Sequence, residues 1–94
     1  MIKSWKHRWL RDFYIEDKHT KKIPSDLYDI VFRKLQLMDD AVDLNDLRVS
    51  PSNRLEKKKG DLAAYYSIRV NEQYRILFQW ENGHVEDVWF CDYH

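Results

Sequence analysis

The chain has 94 residues, and its 16 Lys and Arg side chains balance its 16 Asp and Glu side chains. This length predicts a single domain over residues 1–94, because a second core would lack apolar surface to bury. Hydrophobic residues make up 44% of the chain, which excludes the disordered classes. The apolar runs fall short of the roughly 18 residues that span a bilayer, and the start lacks a signal-peptide core. We therefore expect a cytoplasmic protein with no membrane partner.

Charge is distributed unevenly along the chain although it sums to zero. Residues 1–11 carry four cations and no acid, residues 23–46 are predominantly acidic, and residues 47–75 are again basic. Such alternation predicts basic surfaces that meet phosphates locally; ordinary solvated faces are the alternative reading. The single cysteine, Cys91, excludes an internal disulfide, and no Cys or His spacing resembles a zinc site.

Two helices are predicted in the first half of the chain. Trp5, Trp9 and Phe13 recur at helical spacing, which predicts a helix over residues 5–16. The Pro24 region is typical of a helix start, and an apolar stripe predicts a second helix that ends near residue 40. Residues 50–53 (SPSN) are the clearest loop.

The second half of the chain has the period of two that strands require. Residues 66–70 and 74–80 alternate apolar and polar side chains, and Asn82-Gly83 is a strong signal for a two-residue hairpin turn. A third strand is predicted over roughly residues 84–91. The fold class is therefore α+β, with two N-terminal helices packed on a three- to four-stranded, mainly antiparallel sheet.

The first hairpin predicts a cross-strand pair of cations. A turn centred on Glu72 places Arg69 opposite Arg75, on the face of the sheet that does not carry the core pairs. An anion between them offsets the repulsion, and phosphate fits two guanidinium forks. Neutralisation by a nearby carboxylate (Asp61, Glu86 or Asp87) is the alternative.

The register of the third strand stays open at this point. A strict two-residue turn at Asn82-Gly83 puts Asp87 on the core face, whereas a bulge or a one-residue slip moves it to the other face.

Short motifs spread over nearly the whole chain form an ordered set: 1–7 (MIKSWKH), 35–39 (LQLMD), 53–56 (NRLE), 59–61 (KGD), 66–71 (YSIRVN), 74–76 (YRI) and 92–94 (DYH). With these motifs the chain resembles the HigB-type toxins of the RelE superfamily, which are bacterial toxins that cut mRNA on ribosomes. The resemblance implies a RelE-like microbial RNase fold and cleavage in the ribosomal A site by 2′-hydroxyl attack, with neither metal nor cofactor. It also implies partners: a helix-turn-helix antitoxin of the HigA type, mRNA, 16S ribosomal RNA, and operator DNA only through the antitoxin.

The resemblance implies which residues carry this chemistry. The active-site positions are Lys59, Arg69, Arg75, Asp92, Tyr93 and His94. We expect the two arginines and Lys59 to stabilise the phosphate, His94 or Asp92 to move protons, and Tyr93 to stack on a base. Further RNA contacts are assigned to Lys6, Arg8, Arg54, Lys57 and Lys58.

One residue departs from the family pattern. Glu56 stands where many members have a histidine, so either a histidine is not required here or proton transfer is divided differently. The alternative function is therefore a catalytically weak or inactive toxin-like module that binds a helix-turn-helix antitoxin and modulates operator binding.

Overall fold

The computed structural model describes residues 1–92, and the predicted site residues Tyr93 and His94 lie outside the described residues. Three α-helices come first, α1 (Arg8–Ile15), α2 (Tyr28–Asp40) and α3 (Asn45–Arg48). Short 3-10 turns at Ser25–Leu27, Pro51–Asn53 and Gly60–Leu62 separate the other elements. Within residues 1–92, no helix has both the length and the apolar character that a membrane crossing requires.

The first helix is shorter than the sequence predicted. Trp5 lies in an extended segment instead, because the backbone of residues 1–6 pairs in parallel with the last strand of the sheet. The amides of Lys3 and Lys6 each donate a 2.8 Å hydrogen bond to that strand, to the carbonyls of Val85 and Val88. His7 is still extended, with φ −124°, so the helix begins at Arg8.

The second predicted helix is confirmed in its position and its end. Ser25–Leu27 forms a 3-10 turn that leads directly into α2, and α2 ends at Asp40. Its buried side chains, Val31, Leu35 and Met38, form the stripe that the sequence predicted. The short helix α3 follows α2, and its Leu47 is fully buried.

The sheet has four antiparallel strands in the order β1-β2-β3-β4. Their bounds are β1 (Glu56–Lys57), β2 (Tyr66–Arg69), β3 (Tyr74–Glu81) and β4 (His84–Asp92). The α+β class and the antiparallel sheet are thus confirmed. The helical part differs from the prediction, since α3 and three 3-10 turns accompany the two longer helices.

The two faces of the sheet have different surroundings. One face carries Ile68, Ile76 and Phe78, which are fully buried in a single core with α1 and α2. The opposite face carries Ser67, 2% exposed, and Leu77, fully buried although it lies outside that core cluster. We call this second face, which also carries Arg69, Arg75, Trp89 and Cys91, the outer face.

A β-bulge in β4 settles the register that the sequence left open. Leu77 pairs with Trp89, but Gln79 pairs with Glu86, so Asp87 and Val88 together oppose one residue of β3. Asp87 takes up the extra residue with a left-handed φ of 52°. Because of the bulge, Val88 lies in the core, where it is fully buried, and the carboxylate of Asp87 is kept out of the core.

Candidate nucleic-acid interface

The cross-strand arginine pair is present as predicted. Arg69 of β2 and Arg75 of β3 are direct Cα partners, and Cys91 of β4 is the next partner of Arg75. Paired residues on neighbouring strands project from the same face of a sheet. The two guanidinium groups therefore belong to one face and one end of the sheet, although they come from different strands.

The neighbouring turn holds the side chain of Arg75. Its Nη1 donates to the carbonyls of Asn71 and Tyr74, the latter at 3.0 Å. The side chain of Asn71 closes the same turn, because its Oδ1 accepts the amides of Gln73 at 2.9 Å and Tyr74 at 2.8 Å. Arg75 is thus positioned by a turn that is itself fixed by hydrogen bonds.

Asp92 lies at the same end of the sheet. It pairs in register with Tyr74, and its Oδ2 accepts a 3.2 Å hydrogen bond from Nε2 of Gln73. The structure thus places Asp92 one residue along the sheet from Arg75 and its partner Cys91.

The three consecutive lysines have three different surroundings. Lys58 is the most buried of them, with a side chain only 11% exposed, and its Nζ lies 3.8 Å from Oε2 of Glu56. Lys59 is exposed at the start of the turn Gly60–Leu62. Lys57 lies over the ring of Tyr66, 5.0 Å from its centroid, and its ammonium also donates to the carbonyl of Ala63.

Lys58 acts electrostatically on the cysteine next to Arg75. Burial raises the pKa of the Cys91 thiol, the charge of Asp92 raises it further, and the charge of Lys58 lowers it. Of the three lysines, Lys58 is the one whose charge acts on this thiol. The resemblance pointed to Lys59, and that assignment stays a prediction.

Glu56, the residue that departs from the family pattern, belongs to the outer face as well. It pairs in register with Ser67, and its side chain is 63% exposed. Its carboxylate therefore stands in solvent beside Lys58 and brings a negative charge to the border of the cationic surface.

Aromatic side chains that the sequence reasoning did not single out cover the middle of the outer face. Trp89 packs edge-on against Tyr65 with ring centroids 6.1 Å apart, and the ammonium of Lys6 lies 5.0 Å from the Trp89 centroid. The alternation of β4 was the available signal, but the bulge had to be located before Trp89 could be assigned to a face. Arg8, by contrast, lies on α1, where it pairs with Asp12 at 3.7 Å.

Asp87, the residue of the bulge, forms a hydrogen bond with Tyr65 on the same surface. Its Oδ2 accepts the hydroxyl of Tyr65, and its amide donates to Oγ of Ser4 at 2.8 Å. The hydrogen bond to Asp87, followed by burial, raises the pKa of Tyr65 to about 12. Asp87 is thus engaged with Tyr65, and among residues 1–92 no ion pair joins Arg69 to a carboxylate.

A cleft of about 550 Å³ lies next to Arg69, the last residue of β2. It lies between α2, the turn at residues 51–54 and the end of β2, and it is lined by Ile30, Lys34, Pro51, Ser52, Arg54, Arg69, Val70 and Asn71. Three of these residues are cationic and none is acidic. The predicted RNA-binding residue Arg54 and the predicted catalytic residue Arg69 therefore share one cleft, together with Lys34.

The described part of the chain does not gather three or more His, Cys, Asp or Glu side chains in a way that would hold a metal ion. What this part does gather is cationic and aromatic: guanidinium and ammonium groups at one end of the sheet, with an indole and a phenol next to them. Such a combination suits a polyanion that carries bases, because phosphates pair with the cations and bases stack on the rings.

Relatives of known name support this reading. The chain is 46% identical over 83 residues to the Vibrio cholerae protein named Toxin HigB-1, covering 88% of this chain and 87% of that one. It is 35% identical over 94 residues to the Proteus vulgaris protein named Endoribonuclease HigB, covering both chains completely.

Solved structures resemble the fold. A YoeB–YefM complex from Staphylococcus aureus contains a chain that matches with a TM-score of 0.61 at 22% identity, covering 100% of this chain and 95% of that one. At that identity the likeness concerns the fold alone. The model of the HigB-like toxin family, described as the RelE-like toxin HigB of type II toxin–antitoxin systems, matches residues 3–94. The chain therefore belongs to the HigB-like family of RelE-like toxins of type II toxin–antitoxin systems.

Proposed function

We propose that the chain is an endoribonuclease that cuts mRNA in the ribosomal A site, with no metal ion in the reaction, and thereby inhibits translation in the cytoplasm. The observation that carries the proposal is the pair Arg69 and Arg75, held opposite each other on the outer face, at the end of the sheet where Asp92 also lies. The name of the Proteus vulgaris relative, an endoribonuclease, supports the same activity.

The proposed reaction transfers the phosphorus atom from one oxygen of the RNA to another. A base takes the proton of a 2′-hydroxyl, the 2′-oxygen attacks the adjacent phosphorus, and the bond to the 5′-oxygen of the next nucleotide breaks. An acid supplies the proton that the leaving 5′-oxygen needs. The products are a 2′,3′-cyclic phosphate and a 5′-hydroxyl, so the step consumes neither water nor a second reactant.

The residues are assigned to these needs by charge and position. Arg69 and Arg75 would bind the non-bridging oxygens and stabilise the charge that develops on them, assisted by Lys58 or Lys59. Asp92, an exposed residue at the same end of the sheet as the arginine pair, would act as base or orient the proton carrier. His94 and Tyr93 are proposed as proton carrier and stacking platform from the resemblance to the family.

The partners follow from the family and from the structural neighbours. The resembling YoeB chain was solved in complex with YefM. We propose that this toxin likewise binds a cognate antitoxin, of the helix-turn-helix HigA type, and contacts operator DNA only through it. On the ribosome its partners would be mRNA and 16S ribosomal RNA, contacted by the cations of the outer face and of residues 1–11.

One observation favours a second candidate function. Glu56 places a carboxylate on the outer face beside Lys58, where it repels a phosphate and partly neutralises that lysine. A toxin-like module that has lost cleavage and retains antitoxin binding is compatible with this charge. The two functions differ in a single measurable property, the cutting of mRNA.

The deciding experiment maps mRNA ends on purified ribosomes after adding the full chain. The proposal expects codon-phased ends in the presence of the wild-type chain, and an about 10²–10³-fold slower reaction for Arg75→Ala, which removes a cation from the transition state. Arg33→Ala is the matched control, because Arg33 is an exposed cation of α2 that lies away from the arginine pair and lines a different cavity. If the wild-type chain is folded and the messages stay intact, the endoribonuclease proposal is refuted and the toxin-like binding module is the remaining candidate.

A further inference from the structure

We infer that the cleft between α2, residues 51–54 and the end of β2 binds a phosphate group of the RNA backbone, separate from the phosphate that is cut, and that Lys34 is one of its ligands. The identity of the ligand rests on the proposed function, whereas the cleft and its charge do not. Neither the family pattern nor the sequence reasoning assigned a role to Lys34.

The charge of the cleft is the first argument. Lys34, Arg54 and Arg69 line it from a helix, a turn and a strand, and its lining contains no Asp or Glu. Among residues 1–92, none of the three forms an ion pair. Three cations that converge on a concave, partly apolar space without a carboxylate create an electrostatic site for an anion.

The side chain of Lys34 is held in place by a buried amide. Its Nζ donates to Oδ1 of Asn53, a residue with no exposed surface. Nδ2 of Asn53 donates to the carbonyl of Leu47 at 3.0 Å, and this bond fixes the amide so that its oxygen faces Lys34. One of the three ammonium protons is thus used for positioning, and the ammonium group has two more to donate.

The burial of Lys34 disfavours its charged form. Burial lowers the pKa of this lysine. A phosphate in the cleft would favour the charged form and reverse the direction of that effect.

The backbone at Arg54 adds an independent observation. Arg54 adopts the left-handed conformation, with φ 44° and ψ 55°, directly after the turn Pro51–Asn53. The left-handed conformation is sterically strained for a residue with a side chain, and glycine or asparagine is the usual occupant. An arginine at this strained position lines the cleft, which favours a role for its guanidinium there.

The position of the cleft selects RNA as the source of the phosphate. Arg69 belongs both to the cleft and to the cross-strand pair, and Asn71 lines the cleft while its carbonyl accepts from Arg75. A strand of RNA with one phosphate at Arg75 therefore passes directly toward the cleft with a neighbouring phosphate. A free phosphate ion and an acidic protein segment share part of this chemistry, and the experiment separates them from RNA.

The test measures binding of three probes to the full chain: a 2′-O-methyl oligoribonucleotide that cannot be cut, inorganic phosphate, and a poly-glutamate peptide. Each is titrated by calorimetry against the wild type, Lys34→Gln, Arg54→Gly and Arg33→Gln. Arg33→Gln is the matched control, since it removes one charge from the adjacent position of α2 but lines a different cavity. We expect Lys34→Gln and Arg54→Gly each to weaken oligonucleotide binding by about tenfold, the loss of one charge-assisted hydrogen bond, and Arg33→Gln by less than twofold.

Arg54→Gly separates binding from folding, because glycine relieves the left-handed backbone. Its melting temperature is expected to equal or exceed that of the wild type while its affinity falls. Equal oligonucleotide affinities for the wild type, Lys34→Gln and Arg54→Gly would overturn the inference. So would a dependence on Lys34 seen only with inorganic phosphate, or tighter Lys34-dependent binding of poly-glutamate than of the oligonucleotide.

The result also distinguishes this inference from the proposed function. If the chain cuts mRNA but its oligonucleotide affinity does not depend on Lys34, the proposed endonuclease is supported and the phosphate site in the cleft is refuted. Lys34-dependent oligonucleotide binding by a chain that cuts no mRNA would do the reverse.

Discussion

Arg69 and Arg75 face each other across β2 and β3 as direct Cα partners, with like charges on adjacent strands. Opposed like charges destabilise a sheet, and a small domain gains nothing in folding from keeping them. The arrangement is compatible with the binding of a phosphate that we propose for this face. Its cost is measurable in the free energy of unfolding when no anion is present.

Replacing one member of the pair should stabilise the free protein. In a chloride buffer of moderate ionic strength we expect Arg69→Gln to raise the free energy of unfolding by about 0.2–1 kcal/mol, the repulsion between exposed like charges on a sheet. Added phosphate should reduce the difference, because it stabilises the wild type selectively. Urea unfolding with and without phosphate checks both statements. A destabilised Arg69→Gln in phosphate-free buffer would contradict the repulsion.

The two neighbouring lysines should differ in their effect on the single cysteine. The charge of Lys58 lowers the pKa of the Cys91 thiol, so Lys58→Gln should raise that pKa and slow alkylation by iodoacetamide at a fixed pH near 8. Lys59→Gln is the matched control, since Lys59 is exposed. The measurement is the alkylation rate as a function of pH. Equal rates for both variants would show that Lys58 does not reach this end of the sheet.

The bulge should tolerate asparagine at position 87 and reject valine. Asp87 has a φ of 52° and accepts the hydroxyl of Tyr65. Asp87→Val combines a left-handed branched residue with a lost hydrogen bond, so we expect a loss of about 2–4 kcal/mol in the free energy of unfolding. Asp87→Asn keeps an acceptor and suits the backbone, so its loss should stay below about 1 kcal/mol. Thermal or urea denaturation of the two variants, compared side by side, tests the geometry of the bulge.

Tyr65 should make the protein sensitive to alkaline pH. The hydrogen bond to Asp87, with burial, raises its pKa from 10.0 to about 12 in the folded chain. A raised folded pKa contributes stability that is complete below pH 10 and is lost as pH rises toward 12. Unfolding free energies measured between pH 9 and 11.5 should therefore fall less steeply for Tyr65→Phe than for the wild type. Parallel curves for the two proteins would refute this contribution. Tyr14, whose pKa is also raised, is present in both proteins and adds the same slope to each curve.

The sequence predicted the elements whose signals are local. The stripe of α2 and the alternation of β2 and β3 were sufficient to place these elements, and the turn near Glu72 fixed the partners Arg69 and Arg75. The pairs Ile68 with Ile76 and Tyr66 with Phe78 are likewise confirmed. Each of these inferences needs only a period and a nearby turn, which the chain carries within about fifteen residues.

What the sequence did not predict depends on contacts between distant segments. Trp5 has helical spacing with Trp9, but its segment finds hydrogen-bond partners on β4, more than eighty residues away. From the sequence, Lys34 is an ordinary solvated lysine of an amphipathic helix, because its hydrogen bond to Asn53 appears only in the folded chain. The left-handed Asp87 has no local signature of a bulge, so the face of Trp89 stayed open.

The attachment of residues 1–6 to β4 has a consequence for the order of folding. Ile2 pairs with Val85 and Trp5 with Val88, so residues 1–6 gain these partners only after β4 has been synthesised. Closing so long a loop is slow compared with forming the local hairpins. The hairpins of β2, β3 and β4 are therefore expected to form first, and the parallel pairing of residues 1–6 with β4 is expected to complete the sheet last.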